Sequence, residues 1–353
     1  MSTRTIDNYL YLAGLMDHLK RNNVAVAIEK AYSQKHRRFH GVAHVYEILT
    51  RIDTNTGCAF DEDSGVYTNS YKSLILAALF HDVVYDPTRP DNEEKSVEFM
   101  LSKLNGHIDE TTLQTTAKLI QATSEIDPQD PLAKEFNSYD RAILGSHDFA
   151  ELMSYGDDIR REYIMYEYQD FATKHVEVIS KMHACGNFTN KAVFDAYCSY
   201  VLGRKIKLGI YAGSFNPLHI GHVDILRKAR NMFDQVILAE GVNPDKPAHE
   251  HDDSAHVFIN DLGYFKRVAF PGMLAEMYDH YCGMPNYEVT LVKGIRNADN
   301  LHSENKQLAY TSEYARHNVS VVYIPAEPEL RHVSSSAIRS LQSLGQDVSR
   351  YLA

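Results

Sequence analysis

The chain has 353 residues, 44% apolar and 24% charged, with a formal net charge of −11. That length exceeds what one hydrophobic core serves well, so two domains are expected. The negative charge argues against nucleic acid and anionic membrane surfaces as main partners, and no apolar run approaches the roughly 20 residues of a membrane span.

Met1 to Leu19 mixes Asp7 and Asp17 with apolar residues and reads as an amphipathic helix, not a signal peptide. Helical spacing recurs through Leu74-Ile75-Ala78-Leu79, Leu113-Ala117-Ile120 and Phe171-His175-Val178-Ile179. Asp86-Pro87, Asp127-Pro128, Asp130-Pro131 and Cys185-Gly186-Asn187 punctuate the pattern as breakers. Asn190 to Leu202 reads as the last helix of this half, with Gly203 as its C-cap. The four cysteines, Cys58, Cys185, Cys198 and Cys282, have no CxxC spacing, which argues against a zinc ribbon or disulfide framework and for a cytoplasmic setting.

The texture then changes. Apolar runs at Lys207 to Ala212, Gln235 to Ala239, Glu288 to Val292 and Val319 to Ile324 read as strands. Helical stretches at Val223 to Met232, Met273 to Tyr281, Leu301 to Arg316 and Ser336 to Leu344 separate them. Strands alternating with helices predict βαβ units and a parallel sheet. Asn243 to Asp261, rich in His and Asp, reads as a loop. The fold class is therefore multidomain: an all-α domain over 1–203, then an α/β Rossmann-like domain over 204–353. A chain beginning near Gly203 is expected to fold alone.

Ala212-Gly213-Ser214-Phe215-Asn216-Pro217-Leu218-His219-Ile220-Gly221-His222 follows a predicted strand and opens a predicted helix. Ligands of open α/β sheets bind at the carboxyl ends of strands, and a free helix N-terminus favours phosphate. Glycines let the backbone approach a ligand, and His219 and His222 can donate to phosphate oxygens as charge develops. These residues resemble the (H/T)xGH nucleotidyltransferases, and within them phosphopantetheine adenylyltransferase, over about residues 206–353. Asn243-Pro244-Asp245-Lys246-Pro247 resembles that family's lysine loop. Lys293-Gly294-Ile295-Arg296-Asn297, Val333-Ser334-Ser335-Ser336 and Leu344 to Ser349 resemble its later motifs, in the same order.

The resemblance implies adenylyl transfer from ATP, with Mg²⁺, to a phosphorylated small molecule. It implies His222, His219, Lys246 and Arg296 as the catalytic set. ATP contacts would be Ser214, Phe215, His222, Gly294, Ile295, Arg296, Glu304 and Val333 to Ser336 (with Ser334 and Ser335 between). Acceptor contacts would be Ser214, Lys246, Leu274 and Lys293. The expected acceptor is 4′-phosphopantetheine, of the coenzyme A pathway. The HxGH form is shared with nicotinate- and nicotinamide-mononucleotide adenylyltransferases of NAD synthesis, which supply the alternative. A homo-oligomer is also implied.

In the first half, His44, His81-Asp82 and Asp140 stand out. Taken alone, His81 reads more readily as a satisfied core histidine with Asp82 as a cap than as part of a metal site. Two imidazoles with two carboxylates suit a divalent ion, Mn, Fe, Mg or Zn. Arg38 to His44, Leu79 to Pro87, Asp91 to Ser96, Tyr139 to Gly145 and Ile159 to Tyr163 together resemble an HD-superfamily metal-dependent phosphohydrolase. That resemblance implies His44, His81, Asp82 and Asp140 as metal ligands, acting on a phosphate ester or nucleotide. Asp86, Glu93 and Glu94 are the acid/base candidates, and His40 is a ligand, a phosphate contact or structural. The alternative is a regulatory module that binds a nucleotide without turning it over.

Overall fold

The computed structural model describes residues 4–55, 60–61, 66–241, 255–260 and 262–353. They divide into two compact units: Met1–Tyr163 with Ala172–Val201, and Ile164–Phe171 with Leu202–Ala353.

The first half runs through α1 (Ile6–Leu12), α2 (His18–Tyr32), α3 (Val42–Asn55), α4 (Asn69–Phe80), α5 (Asn92–Leu104), α6 (Glu110–Ala122), α7 (Pro131–Asp140), α8 (Phe149–Glu162), α9 (Tyr168–Cys185) and α10 (Lys191–Gly203). One short hairpin, β1 (Phe60–Asp61) with β2 (Val66–Tyr67), interrupts them. The N-terminal amphipathic segment is two helices, because the chain turns at Gly14 (φ 99°) and Asp17 caps α2. Every residue from Ser73 to Phe80 is buried, so α4 is a central core helix. The Asp-Pro pair at 130–131 marks a helix start: Asp130 accepts from the Ala133 N–H, and Pro131 fills a position whose N–H needs no partner. α4 ends at His81, which delivers that histidine from the core floor.

The second unit holds β3 (Ile206–Gly213), α11 (Ile220–Ala229), β4 (Gln235–Gly241), β5 (His256–Ile259), β6 (Gly263–Phe270), α12 (Leu274–Cys282), β7 (Tyr287–Ile295), α13 (Ala298–Tyr314), β8 (Val321–Pro325) and α14 (Ser335–Ser343). The sheet order is β5-β6-β4-β3-β7-β8, parallel except for β5. Two elements differ from the sequence reading: β5 lies in the segment read as loop, and β6 follows it. Their residues pair within one hairpin, His256 opposite Lys266 to Ile259 opposite Gly263; β5 is only four residues long, and Lys266 and Arg267 interrupt the apolar run of β6.

The winding order reverses between β3 and β7, since β4 and β6 follow β3 on one side and β7 and β8 lie on the other; such a switch point opens a crevice at the carboxyl edge of a sheet. The opposite edge is closed by residues 164–171, which the sequence reading assigned to the first domain. Gln235, the first residue of β4, donates through Nε2 to the carbonyls of Ile164 (2.8 Å) and Tyr166 (3.1 Å). Glu167 accepts from Tyr281 Oη (2.9 Å) and Tyr287 Oη (2.8 Å) and pairs with Lys266 (2.7 Å). These partners lie far along the chain, so no local pattern announces them.

Candidate active site

A cavity of about 280 Å³ opens at the switch point of the second unit. Ala212 to Phe215 at and just past the end of β3, the start of α11, Lys293, Gly294 and Arg296 around the end of β7, and the start of α14 line it. Two helix N-termini therefore meet at one cavity, and each leaves backbone N–H groups for an anion. Ser334 caps α14 by accepting from the Ala337 N–H, and Ser335 Oγ donates to the Pro217 carbonyl (3.1 Å). That bond ties the serine motif to the glycine-rich motif.

His219 is the N-cap of α11, and His222 sits in its first turn. The Gly221 N–H donates to His219 Nδ1 (3.1 Å), and the His219 N–H donates to His222 Nδ1 (3.3 Å). An Nδ1 that accepts carries no proton, so each neutral ring holds its hydrogen on Nε2. Gly221 makes this possible, since a Cβ there would stand 3.0 Å from the His219 ring. The two imidazoles stack at 3.6 Å between centroids, an arrangement suited to neutral rings. Burial, then the Arg296 charge, lowers His219 to about 4. Burial, then His219 and Arg296, lowers His222 to about 3. Both are therefore neutral hydrogen-bond donors near neutral pH.

Lys293, 4% exposed, pairs with Glu304 at 2.8 Å across the cavity wall. Arg296 donates to the Val333 carbonyl (3.3 Å). Ser214, Phe215, Gly294, Glu304, Val333 and Ser334 to Ser336 all line the cavity, as the motifs implied. Ile295 and Leu274 are not among its lining residues; Leu274 opens α12, past the carboxyl end of β6. Lys246 and its loop lie outside the described residues. The sequence reading missed Tyr211, Asn300 and Arg339, which also line the cavity. Arg339 donates to the Asn216 carbonyl and to Ser336 Oγ. Its spacing, one turn past Ser336, was the available signal.

In the first unit, His44 Nε2, His81 Nε2 and an Asp140 oxygen converge within 4.8 Å of one another. His44 Nε2 lies 2.9 Å from Asp140 Oδ1, and His81 Nε2 lies 3.0 Å from Asp82 Oδ2 and 3.6 Å from Asp140 Oδ1. The His81–Asp82 approach is close but lacks hydrogen-bond geometry, so the 1%-exposed His81 Nε2 is buried without a hydrogen bond. Its Nδ1 lies 3.2 Å from the Ala78 carbonyl, to which it donates, so Nε2 is the nitrogen turned to the cluster and the one that would lend a lone pair once a bound cation displaces its proton. Burial pulls His81 down, but Asp82 and Asp140 outweigh it and raise it to about 9. A cluster with this surplus of negative charge, into which a buried imidazole nitrogen is turned, fits a divalent cation that would displace the proton.

The flanking motifs meet at a second carboxylate. Glu162 accepts from the backbone N–H of Arg38 (2.6 Å) and His40 (3.0 Å), pairs with His40 Nδ1 (2.6 Å), and accepts from Tyr85 Oη (2.8 Å). His40 Nδ1 is thereby committed to Glu162. Arg37 donates to the carbonyls of Asp82 (2.6 Å) and Val83 (3.1 Å). Ser96 Oγ bonds both the N–H and the carbonyl of Val84, and Asn92 brackets Asp86. Asp86 accepts from the Thr88 N–H and hydroxyl, which makes it a turn organiser. Glu93 and Glu94 stand on the first turn of α5, Glu93 half-buried and Glu94 exposed.

A family model described as cytidylyltransferase-like matches residues 210–259. The chain is 32% identical over 152 residues to a phosphopantetheine adenylyltransferase of Micrococcus luteus, covering 42% of this chain and 92% of that relative. Relatives of the same description from Kocuria rhizophila and Streptococcus pneumoniae are 31% and 29% identical, with 42% and 41% of this chain and 93% and 90% of theirs covered. A solved structure from Vibrio parahaemolyticus, described as of nicotinate-nucleotide adenylyltransferase type, is 23% identical, covering 42% of this chain and 86% of its own, with a TM-score of 0.31.

Proposed function

We propose that this chain, which belongs to the phosphopantetheine adenylyltransferase family through its C-terminal unit, transfers an adenylyl group from ATP to 4′-phosphopantetheine and releases pyrophosphate. The observation that carries this reading is the meeting of two helix N-termini, two Nε2–H imidazoles and the cations Lys293 and Arg296 in one cavity. An oxygen of the acceptor phosphate attacks the α-phosphorus, and the bond to the bridging oxygen breaks as pyrophosphate leaves with the electron pair. The nucleophile is already anionic, so the chain needs no strong base. Its task is positioning and charge stabilisation.

His222 and His219 donate through Nε2–H to the reacting phosphate without adding a charge that must later be neutralised. Arg296 and the start of α14 hold the ATP phosphates. Lys293 exchanges its Glu304 partner for the acceptor, and the lysine-loop resemblance adds Lys246 as a second acceptor contact. Glu304 is the one carboxylate lining the cavity among the described residues and it is paired, so this donor set fits an ion carried in by phosphates and not a dedicated protein site. Magnesium bound with ATP supplies further charge neutralisation.

For the first unit the proposal is a metal-dependent phosphohydrolase, with His44, His81, Asp82 and Asp140 holding the ion. Such an ion, when bound, supplies Lewis acidity and hydroxide near neutral pH. Glu162 fixes the His40 ring beside the cluster, where it can meet a phosphate.

Two measurements test these readings. Pyrophosphate release from ATP is measured with 4′-phosphopantetheine, nicotinate mononucleotide and nicotinamide mononucleotide. Release with the first alone is expected, and release only with a mononucleotide moves the reaction to the alternative acceptor. Metal analysis is made on the wild type and the His81→Ala, Asp82→Ala double variant. The wild type should carry a tightly bound divalent ion and the folded double variant none, with pyrophosphate release retained. Equal metal content in both would remove the ligand assignment.

A further inference from the structure

We infer that Arg339 is a positioning residue for adenylyl transfer: from α14 it holds the Asn216 carbonyl, and through that turn it sets Phe215 and His222 in place. The inference rests on the adenylyl-transfer reading of the C-terminal cavity. Arg339 lines that cavity, yet both of its terminal nitrogens are spent on the protein. Nη1 donates to the Asn216 carbonyl, and Nη2 donates to Ser336 Oγ (3.2 Å). A guanidinium is planar and carries its donors in a fixed fork, so acceptors on two elements fix the spacing between those elements. Here the elements are α14 and the turn between β3 and α11.

That turn needs holding. Phe215 has a φ of 40°, in the left-handed region that a bulky side chain disfavours, and such a residue persists there only where its surroundings over-determine it. The two carbonyls that follow are both taken by α14, Asn216 by Arg339 and Pro217 by Ser335 Oγ (3.1 Å). Ile220, the first residue of α11, packs against the apolar cluster of Val333, Ile338 and Val348 beneath α14. The turn is therefore gripped at consecutive residues, and Arg339 supplies the bond next to the strained one.

The grip reaches the reacting groups through the Phe215 ring. It stands edge-on to His222, with 5.1 Å between centroids and 78° between planes, and to Tyr211 at 5.2 Å and 69°. The His222 ring is thus fixed twice, by the His219 N–H on its Nδ1 and by Phe215 against its side. Releasing the Asn216 carbonyl lets Phe215 relax toward an ordinary backbone conformation and withdraws its ring from His222. A group misplaced by about 1 Å can cost about a hundredfold in rate. The bond at Pro217 survives the loss of Arg339, so a smaller effect is expected here.

The test is a double-mutant cycle on the full chain, read as pyrophosphate release with ATP and the acceptor that supports it. Arg339→Ala should lower kcat by about tenfold and move the KM for ATP by no more than about threefold. Because Arg339 acts through His222, the same change made on top of His222→Ala should cost less than about twofold. Arg339→Met keeps the apolar stem and removes the donors, so it should match Arg339→Ala. The amides of His219, Gly221, His222 and Val223 are all hydrogen-bonded at the start of α11, and their deuterium exchange reads the grip without turnover. It should speed by about tenfold in both Arg339 variants, with the amides of β3, β4 and β7 unchanged as the check on folding. Losses that multiply in the double variant, with a raised KM for ATP, would make Arg339 a separate phosphate contact and overturn the inference. A wild-type rate in Arg339→Met would leave packing as the cause, and unchanged exchange would mean no grip; either overturns it. A wild type that releases no pyrophosphate with any acceptor fails the reaction reading first, and the exchange comparison then still decides whether Arg339 holds the turn.

Discussion

The pair His44 and His81 in the first unit faces carboxylates, whereas the pair His219 and His222 in the second faces another imidazole and Arg296. His81 is raised to about 9, burial opposing and Asp82 and Asp140 prevailing; His222 is lowered to about 3, with burial the largest cause. One residue type is thus prepared for opposite ligands. Among carboxylates an imidazole keeps company with negative charge that a cation can share. Beside Arg296, with Nδ1 engaged by the backbone, it becomes a neutral N–H donor for an anion. The lesson is that the groups around a histidine, and the nitrogen left free, decide its chemistry.

The largest expected effect tests the anion side of this contrast. His222→Ala should lower adenylyl transfer by about a hundredfold or more, as loss of one preorganised donor does, with ATP binding little changed. Pyrophosphate release and an ATP titration measure the two quantities. A rate within a few-fold of wild type would remove His222 from the reacting phosphate and leave the contrast without its catalytic meaning.

A second test asks whether the contrast belongs to separable units. Glu167 gathers Tyr281, Tyr287 and Lys266 inside the second unit, although residues of the first unit flank its segment on both sides in sequence. Glu167→Ala should destabilise the second unit by about 1–3 kcal/mol, because the Tyr281 hydroxyl and the Lys266 ammonium lose their acceptor while Tyr287 Oη falls back on Gln235 Oε1 (3.2 Å). Urea unfolding measures this. A chain beginning at Leu202 loses these bonds and those of Gln235 together, so it should be less stable than Glu167→Ala. If it matched the full chain's second unit in stability, residues 164–171 would be dispensable and the sequence boundary near 203 sufficient.

The helix-rich first half and the βαβ order of the second were legible because both rest on short-range periodicity. The glycine motif, the 293–297 motif and the serine motif were legible because each stands at a strand end or helix start. What escaped depended on distance. Gln235 and Glu167 reach partners more than 60 residues away in sequence, and Glu162 joins three motifs that lie far apart. The acid/base reading of Glu93 and Glu94 went to the charged residues of their motif. In the structure it is the neighbours Asn92 and Ser96 that reach the 84–86 turn, a matter of side-chain direction that spacing does not encode.

The smallest effect sharpens the comparison through pH. His219 and His222, lowered to about 4 and about 3, lie below the ordinary histidine value of about 6.5. Between those values the unfolded chain takes up protons that the folded site refuses. Stability of the second unit is therefore fully present above about 6.5 and is lost as pH falls toward about 4. The slope cannot exceed about 1.4 kcal/mol per pH unit for each histidine. The stacked rings hold the slope near that limit, since a proton on one disfavours a proton on the other and the folded site takes up fewer. Hydrogen exchange of the α11 amides, measured from pH 7 to pH 5, reads this unit alone. His222→Gln keeps a neutral polar side chain and deletes one titration, so its stability should fall less steeply with acid than wild type. Parallel pH profiles for the two proteins would mean that His222 already carries its proton in the folded state, and the neutral-donor side of the contrast would be wrong.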